Sequence, residues 1–105
     1  MLFKEKRREK RYSPDLTCTI LPSTEQLKVL DVSVHGLSIV SRAQYSIGQE
    51  LKINVELILV GYISVSVVVR NLSKIHGKNR YGLEITTIPE PWVSFVYHIM
   101  AQNEE

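Results

Sequence analysis

The sequence lacks the features of several common protein classes. Among its 105 residues Cys18 is the single cysteine, which excludes an intrachain disulfide and a zinc site built from several thiolates, and favours a reducing compartment. No apolar run approaches the roughly 18 residues of a membrane-spanning helix. The apolar stretch Met1–Phe3 is followed at once by charge, so no signal-peptide core is expected. We therefore expect a cytoplasmic protein that is not inserted in a membrane.

Patterns for enzymatic chemistry are also missing. The three histidines and the cysteine show no metal-ligand spacing, and the five glycines form neither a dinucleotide-binding nor a P-loop pattern. Asp31, Ser33 and His35 have the residue types of a catalytic triad. However, alternate residues of one extended segment point in the same direction, whereas the members of a triad converge from different elements. The sequence thus predicts no enzyme, no metal site and no cofactor.

What the sequence does contain is an uneven distribution of charge. The formal net charge is +2. Residues 1–11 hold six lysines and arginines against two glutamates, a net charge of +4, which leaves −2 for the rest of the chain. A cationic segment is typical of proteins that bind anions such as phosphates, nucleic acids or lipid headgroups. The acidic remainder argues against a nucleic acid polymer, since proteins that bind one pair a basic groove with exposed aromatic side chains.

The hydrophobic pattern predicts an all-β fold with a C-terminal helix. From residue 15 to residue 88, short apolar or alternating runs are separated by turn residues. Six antiparallel strands leave either open edges or a closed barrel, so we predict a six-stranded antiparallel β-barrel. The domain organisation expected is a flexible basic segment over residues 1–12 and one barrel domain over residues 13–105. The predicted strands are Leu16–Leu21, Leu27–Leu30, Leu37–Val40, Leu51–Leu57, Tyr62–Arg70 and Tyr81–Ile85.

The helix is predicted from a change of period near the end of the chain. After Pro89-Glu90-Pro91, which suits a helix start, apolar residues recur three and four positions apart. This spacing predicts an amphipathic helix from about residue 90 to about residue 102, whose apolar face packs on the barrel. The residues of that face are Trp92, Phe95, Val96, Ile99 and Met100.

The basic segment contains an R-x-x-x-R pattern formed by Arg7 and Arg11, with Lys6, Arg8 and Lys10 beside them. A basic run of this kind can be a solvated tail, and that alternative stays open. Arginine is nevertheless well suited to bind phosphate and the O6 and N7 edge of guanine, because its planar guanidinium group donates two parallel hydrogen bonds and stacks on bases. Two arginines four residues apart could therefore close on a ligand from two sides.

A second pattern, D-x-S-x-x-G, is formed by Asp31, Ser33 and Gly36 between two predicted strands. It is typical of turns, in which Asp and Ser bind nearby backbone amides and glycine supplies a positive φ. The same groups can also bind a nucleotide, since a carboxylate accepts hydrogen bonds from the N1 and N2 donors of guanine. Taken alone, the pattern favours a turn.

Together the two patterns resemble the motif pair of the PilZ family, R-x-x-x-R followed about one hairpin later by D/N-x-S-x-x-G. The resemblance covers nearly the whole chain and includes Gly48–Leu51, Val67–Arg70 and Tyr81–Ile85. It implies a six-stranded barrel with a helix and no catalytic activity. It also implies a ligand, cyclic di-GMP, a bacterial second messenger with two guanines and two phosphates.

The resemblance assigns a role to each motif residue. Arg7 and Arg11 would bind guanine edges and phosphates from an N-terminal segment that folds over the ligand. Asp31 and Ser33 would bind a guanine from the barrel side, and Gly36 would let the backbone approach closely or turn. Accessory ligand contacts are expected at Lys6, Arg8 and Arg70.

Two functions stay open at this point. The first is a receptor for cyclic di-GMP that acts on an unidentified protein partner as a monomer or weak dimer. The second is a PilZ-like interaction or scaffold module that keeps the fold without binding the nucleotide. The presence of both patterns favours the receptor, because a scaffold needs neither. The ligand stoichiometry, one or two molecules, is open because Lys6 stands where some members of the family have a further arginine.

Overall fold

The structure is a computed structural model that describes residues 12–57 and 61–103. Within these residues six strands pair antiparallel with their neighbours and close into a barrel in the order β1-β2-β3-β6-β5-β4. The predicted six-stranded antiparallel β-barrel with one C-terminal helix is confirmed. The elements are β1 (Leu16–Ile20), β2 (Leu27–Ser33), β3 (Gly36–Ser41), β4 (Glu50–Leu57), β5 (Gly61–Ile75), β6 (Lys78–Ile85) and α1 (Glu90–Asn103).

Alternation of side chains explains why the strands close around one core. In β1 the side chains of Leu16, Cys18 and Ile20 are buried, whereas Thr17 and Thr19 between them are only half-buried. A strand turns every second side chain to the same face, so one set fills the barrel and the other forms its outer wall. The buried sets of all six strands join in a single apolar cluster.

The helix adds its apolar face to the same cluster. Trp92, Val96 and Ile99 are buried in it, and Phe95 and Met100 pack against it partly buried. The predicted packing of the helix on the barrel is confirmed. In the described part of the chain, no helix has the length and apolar character needed to cross a membrane.

Two hairpins differ from the prediction because their strands continue through polar residues. β2 extends through Asp31–Ser33, and only Val34 and His35 form the turn to β3. β5 extends to Ile75, five residues beyond its predicted end, and its turn to β6 is His76–Gly77. His76 and Gly77 have positive φ angles of 50° and 79°. A turn of this kind matches the twist of paired strands, so the pairing of β5 with β6 continues into residues whose composition is typical of loops.

Candidate ligand-binding site

The D-x-S-x-x-G pattern lies on the outer wall of the barrel. Asp31 of β2 pairs with Ser38 of β3, and Ser33 pairs with Gly36 across the turn. Val32, between the two polar residues, is fully buried in the core. Since neighbours along a strand point to opposite faces, Asp31 and Ser33 face outward together. The structure therefore brings all three residues of the pattern to adjacent positions on one face.

Arg80 of β6 completes this face, and sequence reasoning missed it. Its Nη2 donates a hydrogen bond to Oδ2 of Asp31 over 3.1 Å, which spans from β6 past β3 to β2. The Asp31 side chain is 12% exposed and that of Arg80 is 41% exposed, so the carboxylate is held in place while the arginine still reaches solvent. The predicted sixth strand begins at Tyr81 and does not include Arg80. We call Asp31, Ser33, Gly36 and Arg80 the motif surface.

Ser33 connects the motif surface to the helix through a hydrogen bond. The residue is fully buried, and its hydroxyl donates to the carbonyl oxygen of Gly36 over 3.4 Å. Its own carbonyl oxygen accepts a hydrogen bond from Nε1 of Trp92 at 3.0 Å. Buried backbone groups need such partners, so the indole both fills the core and holds the β2–β3 turn against α1. In the structure the Ser33 side chain thus supports the turn.

Gly36 is needed for a close approach between strands. A Cβ placed at this residue would lie 2.3 Å from the backbone oxygen of Leu83 on β6, a distance that real Cβ atoms do not show. Gly36 is not among the residues with positive φ, so the turn conformation expected from its residue type is not its role. Any side chain here would push β3 away from β6 and open the wall beneath Asp31.

A cleft of about 300 Å³ lies beside the motif surface. His35 and Gly36 line it from the turn, and Arg70, Asn71 and Glu84 are among the residues that line it from β5 and β6. The register of β5 against β6 shifts at this point, which identifies a bulge. The structure therefore places the predicted accessory residue Arg70 in the same cleft as Gly36.

Arg70 is already paired within this cleft. Its Nε donates to Oε1 of Glu84 over 2.5 Å, and the two side chains are 56% and 50% exposed. A surface ion pair of this kind contributes little to stability, about 0–1 kcal/mol. The pairing with Glu84 therefore holds Arg70 only weakly.

The described chain begins beside the motif surface. The backbone N–H of Tyr12 donates to the carbonyl oxygen of Val32 over 2.9 Å, and its carbonyl oxygen accepts from the N–H of Val32 over 2.7 Å. Val32 stands between Asp31 and Ser33, so residue 12 is paired next to both. The predicted ligand contacts that lie outside the described residues are Arg7, Arg11, Lys6 and Arg8.

Comparison with known proteins identifies the family. A family model described as the PilZ domain matches residues 5–96. This chain belongs to the PilZ family. The matched range contains both the R-x-x-x-R and the D-x-S-x-x-G patterns. No curated protein matches the chain.

Solved structures share the fold of this PilZ domain at low identity. The Bacillus subtilis inhibitor of motility, MotI/DgrA, is 17% identical with a TM-score of 0.80, over 92% of this chain and 50% of that protein. The PilZ domain of YcgR from Escherichia coli with c-di-GMP is 16% identical with a TM-score of 0.71, over 92% and 93%. The K. pneumonia MrkH–c-di-GMP complex is 17% identical with a TM-score of 0.69, over 91% and 50%. The chain thus spans about half the length of MotI/DgrA and MrkH, and these likenesses establish the fold alone.

The thiol of Cys18 is buried in the barrel interior of this PilZ domain. Burial, and to a lesser degree the negative charge of Glu56, raises the pKa of the Cys18 thiol to about 12, so the thiol stays protonated near neutral pH. Within residues 12–57 and 61–103, no three histidine, cysteine, aspartate or glutamate side chains gather in a way that could hold a metal ion.

Proposed function

We propose that this PilZ domain is a receptor for cyclic di-GMP that acts on a protein partner. The observation that carries the proposal is the carboxylate of Asp31, held on the outer wall by Arg80 and next to the paired position of Tyr12. The fold shared with the c-di-GMP complexes of YcgR and MrkH supports the same assignment. The proposal includes no catalytic step.

The motif surface fits the edge of a guanine. A carboxylate accepts hydrogen bonds from both N1–H and N2–H of that base, and Asp31 presents its carboxylate in one orientation because Arg80 holds one of its oxygens. A group that is already ordered loses little conformational entropy when a ligand arrives. We propose that Ser33 contacts the same guanine, and that Gly36 allows the base to lie close to the hairpin backbone.

Arg7 and Arg11 supply the positive charge in this proposal. Arg11 directly precedes Tyr12 in the sequence, and Tyr12 pairs beside Asp31 and Ser33, so a ligand on the motif surface is within reach of the basic segment. Residues 1–11 carry a net charge of +4 and the ligand carries two phosphates, which favours association. Lys6 and Arg8 are proposed as accessory phosphate contacts.

The gain from these contacts is offset by ordering the segment. Fixing five to ten residues costs roughly 1–2 kcal/mol each, so several charge-assisted hydrogen bonds are needed to offset it. We therefore expect micromolar affinity, which suits a reversible messenger. The ordered segment would in turn present a new surface to the protein partner.

A second candidate function is a scaffold that uses the same fold without the nucleotide. The observation that favours it is Ser33, which is fully buried and donates to the carbonyl oxygen of Gly36 in the structure. Those contacts are what a purely structural turn requires. In this alternative Asp31 and Arg80 are an ordinary cross-strand ion pair.

Calorimetric titration separates the two functions. Cyclic di-GMP should bind saturably with micromolar affinity, whereas GTP and a short single-stranded RNA should bind far more weakly. Arg11→Ala should weaken binding strongly, and Lys52→Ala, an exposed cation on β4, is the matched control. No heat with cyclic di-GMP at about 100 µM would overturn the receptor proposal and leave the scaffold.

A further inference from the structure

A second cavity lies on the outer wall, at the ends of β2 and β3 that are remote from the β2–β3 turn. Its volume is about 460 Å³. Residues 25–28 and Leu30 line one side of it, the β5–β6 turn lines the other side, and residues 40–42 lie between them because β3 stands between β2 and β6. Pockets for small molecules have volumes of about 300–1,000 Å³, so this one can enclose a ligand of modest size.

Cations from three separate elements converge on this cavity. Lys28 comes from β2, Arg42 follows β3, and Lys78 begins β6. All three are exposed, and in the described part of the chain none of their side chains forms an ion pair. Glu25 is the one carboxylate among the lining residues, so the lining carries a net charge of +2 when His76 is neutral. We call this site the cationic cavity.

The cationic cavity also has an apolar floor. Leu30, Val40 and Ile75 are half-buried and line it. Leu30 faces outward by the ordinary alternation of β2, since its neighbour Val29 is buried in the core. An apolar floor beneath a rim of cations suits a ligand that joins a ring or hydrocarbon to an anionic group.

Phosphate is the anionic group that the rim fits best. Arg42 provides the planar fork that binds phosphate oxygens in pairs, and Lys28 and Lys78 provide point charges on opposite walls. A phosphate monoester carries close to two negative charges at neutral pH and would neutralise the net +2 of the lining. A carboxylate would neutralise only half of it.

We propose that the cationic cavity is a second ligand site, which binds a small organic phosphate with an apolar or ring-shaped body. The site is separate from the motif surface, since Asp31, Ser33 and Gly36 do not line it. It does not depend on the binding of cyclic di-GMP. A small-molecule phosphate at this position would give the PilZ domain a second input on the same wall of the barrel.

The proposal is tested by NMR titration of the ¹⁵N-labelled protein with phenyl phosphate as the probe. We expect saturable shifts of the amides of Lys28, Val40 and Arg42, with a dissociation constant of about 1 mM or below. Inorganic phosphate and phenol should each bind more weakly, because each supplies half of the contacts. Absence of saturable shifts up to about 10 mM, or shifts centred on Asp31, would overturn the proposal.

Variants that remove positive charge distinguish a specific binding site from nonspecific electrostatic attraction. Lys28→Gln with Arg42→Gln should weaken phenyl phosphate binding about tenfold or more. Lys52→Gln with Lys74→Gln removes the same charge from exposed residues outside the cavity and should leave the affinity within about twofold. Equal weakening by both double variants would overturn the proposal.

Two further measurements test the apolar floor and the separation of the sites. Val40→Trp fills the cavity without changing its charge and should abolish binding of phenyl phosphate in a protein whose unfolding midpoint is retained. Saturating cyclic di-GMP should leave the phenyl phosphate affinity unchanged. Retained binding by Val40→Trp, or displacement by cyclic di-GMP, would contradict a separate cavity site.

Discussion

The two ends of the outer wall formed by β2, β3 and β6 differ in how their charges are compensated. On the motif surface and in the adjoining cleft, Arg80 is paired with Asp31 and Arg70 with Glu84. In the cationic cavity, three cations face one carboxylate. One end is thus nearly neutral and already ordered, and the other keeps an excess of positive charge.

Because of this difference, the two ends should select their ligands by different interactions. An ordered, neutralised surface discriminates by hydrogen-bond geometry and shape, so it suits a guanine edge and needs further cations for the phosphates. An uncompensated group of cations selects by charge and tolerates different ligand bodies, and its affinity falls as salt rises. If the two ends are distinct sites on one stable barrel, substitutions at one end should leave ligand binding at the other end unchanged.

The largest expected effect concerns the motif surface. Asp31→Ala should weaken cyclic di-GMP binding about 100-fold, near 3 kcal/mol, because it removes the carboxylate that we propose receives two hydrogen bonds from guanine. Thermal stability should change little, since Arg80 is 41% exposed and can be solvated when its partner is lost. Calorimetry measures the affinity, and Asp15→Ala, an exposed carboxylate, is the control.

The double variant in the cationic cavity tests whether that cavity contributes to cyclic di-GMP binding. Lys28→Gln with Arg42→Gln should leave cyclic di-GMP affinity unchanged within about twofold. A large loss of stability in Asp31→Ala, with ligand affinity retained, would support the structural-turn interpretation of the pattern. A large loss of cyclic di-GMP affinity in the double variant would show that the two ends belong to one binding site.

The next effect concerns the packing of β3 against β6 at the motif surface. Gly36→Ala should lower the free energy of unfolding by about 3 kcal/mol, because the new Cβ meets the backbone oxygen of Leu83 at 2.3 Å. Gly82→Ala is the matched control on β6, where the new Cβ would meet the Asn71 side-chain amide at 3.1 Å. That side chain can move, so the loss should stay below about 1 kcal/mol. Urea denaturation measures both, and equal losses would contradict the close approach.

A smaller effect concerns the support of the motif surface by the helix. Trp92→Phe should destabilise the protein by about 2 kcal/mol, because it leaves the carbonyl oxygen of Ser33 without its donor and removes buried volume. Phe95→Leu, a partly buried neighbour on α1, should cost less. Urea denaturation gives both values. If the two losses were equal, the hydrogen bond to Ser33 would contribute nothing.

The last effect appears only at high pH and concerns the interior that both ends share. The unfolded Cys18 thiol ionises near its ordinary pKa of 9.0, whereas the folded thiol has a pKa of about 12. The folded state therefore retains the proton as the pH rises, and stability should fall by roughly 1 kcal/mol per pH unit between about pH 9 and 12, while below pH 9 this contribution is fully present. Cys18→Ala is the control, since its stability should fall less steeply over the same range. Parallel pH profiles would contradict burial of the thiol.

Most of the fold could be predicted from local patterns. β4 alternates apolar and polar residues over Leu51–Leu57, and α1 repeats apolar residues at helical spacing, so each reveals its buried face without reference to the rest of the chain. The extent of β2 and β5 could not be predicted in this way. Residues on the outer wall are polar whether they lie in a strand or in a loop, so the strand ends depend on partners elsewhere in the chain.

The candidate site also contains residues that the sequence predicts and one that it does not. Asp31, Ser33 and Gly36 lie within six consecutive residues of one hairpin, so their association is visible in the sequence. Arg80 is 49 positions from Asp31 and has no local signal that would join the two. Gly36 shows that even a recognised motif residue can have a role, close approach to Leu83, that depends on a strand far along the chain.

The family, the strand and helix periods and the motif residues can all be read from the sequence, because each depends on residues that are close together in the chain. Which charges are compensated depends instead on the tertiary structure. Closure of the barrel places β2 and β6 on either side of β3, and this arrangement pairs Arg80 with Asp31 while it leaves Lys28, Arg42 and Lys78 around one cavity. No sequence period encodes such a meeting, since it depends on the register of strands that are distant in the chain.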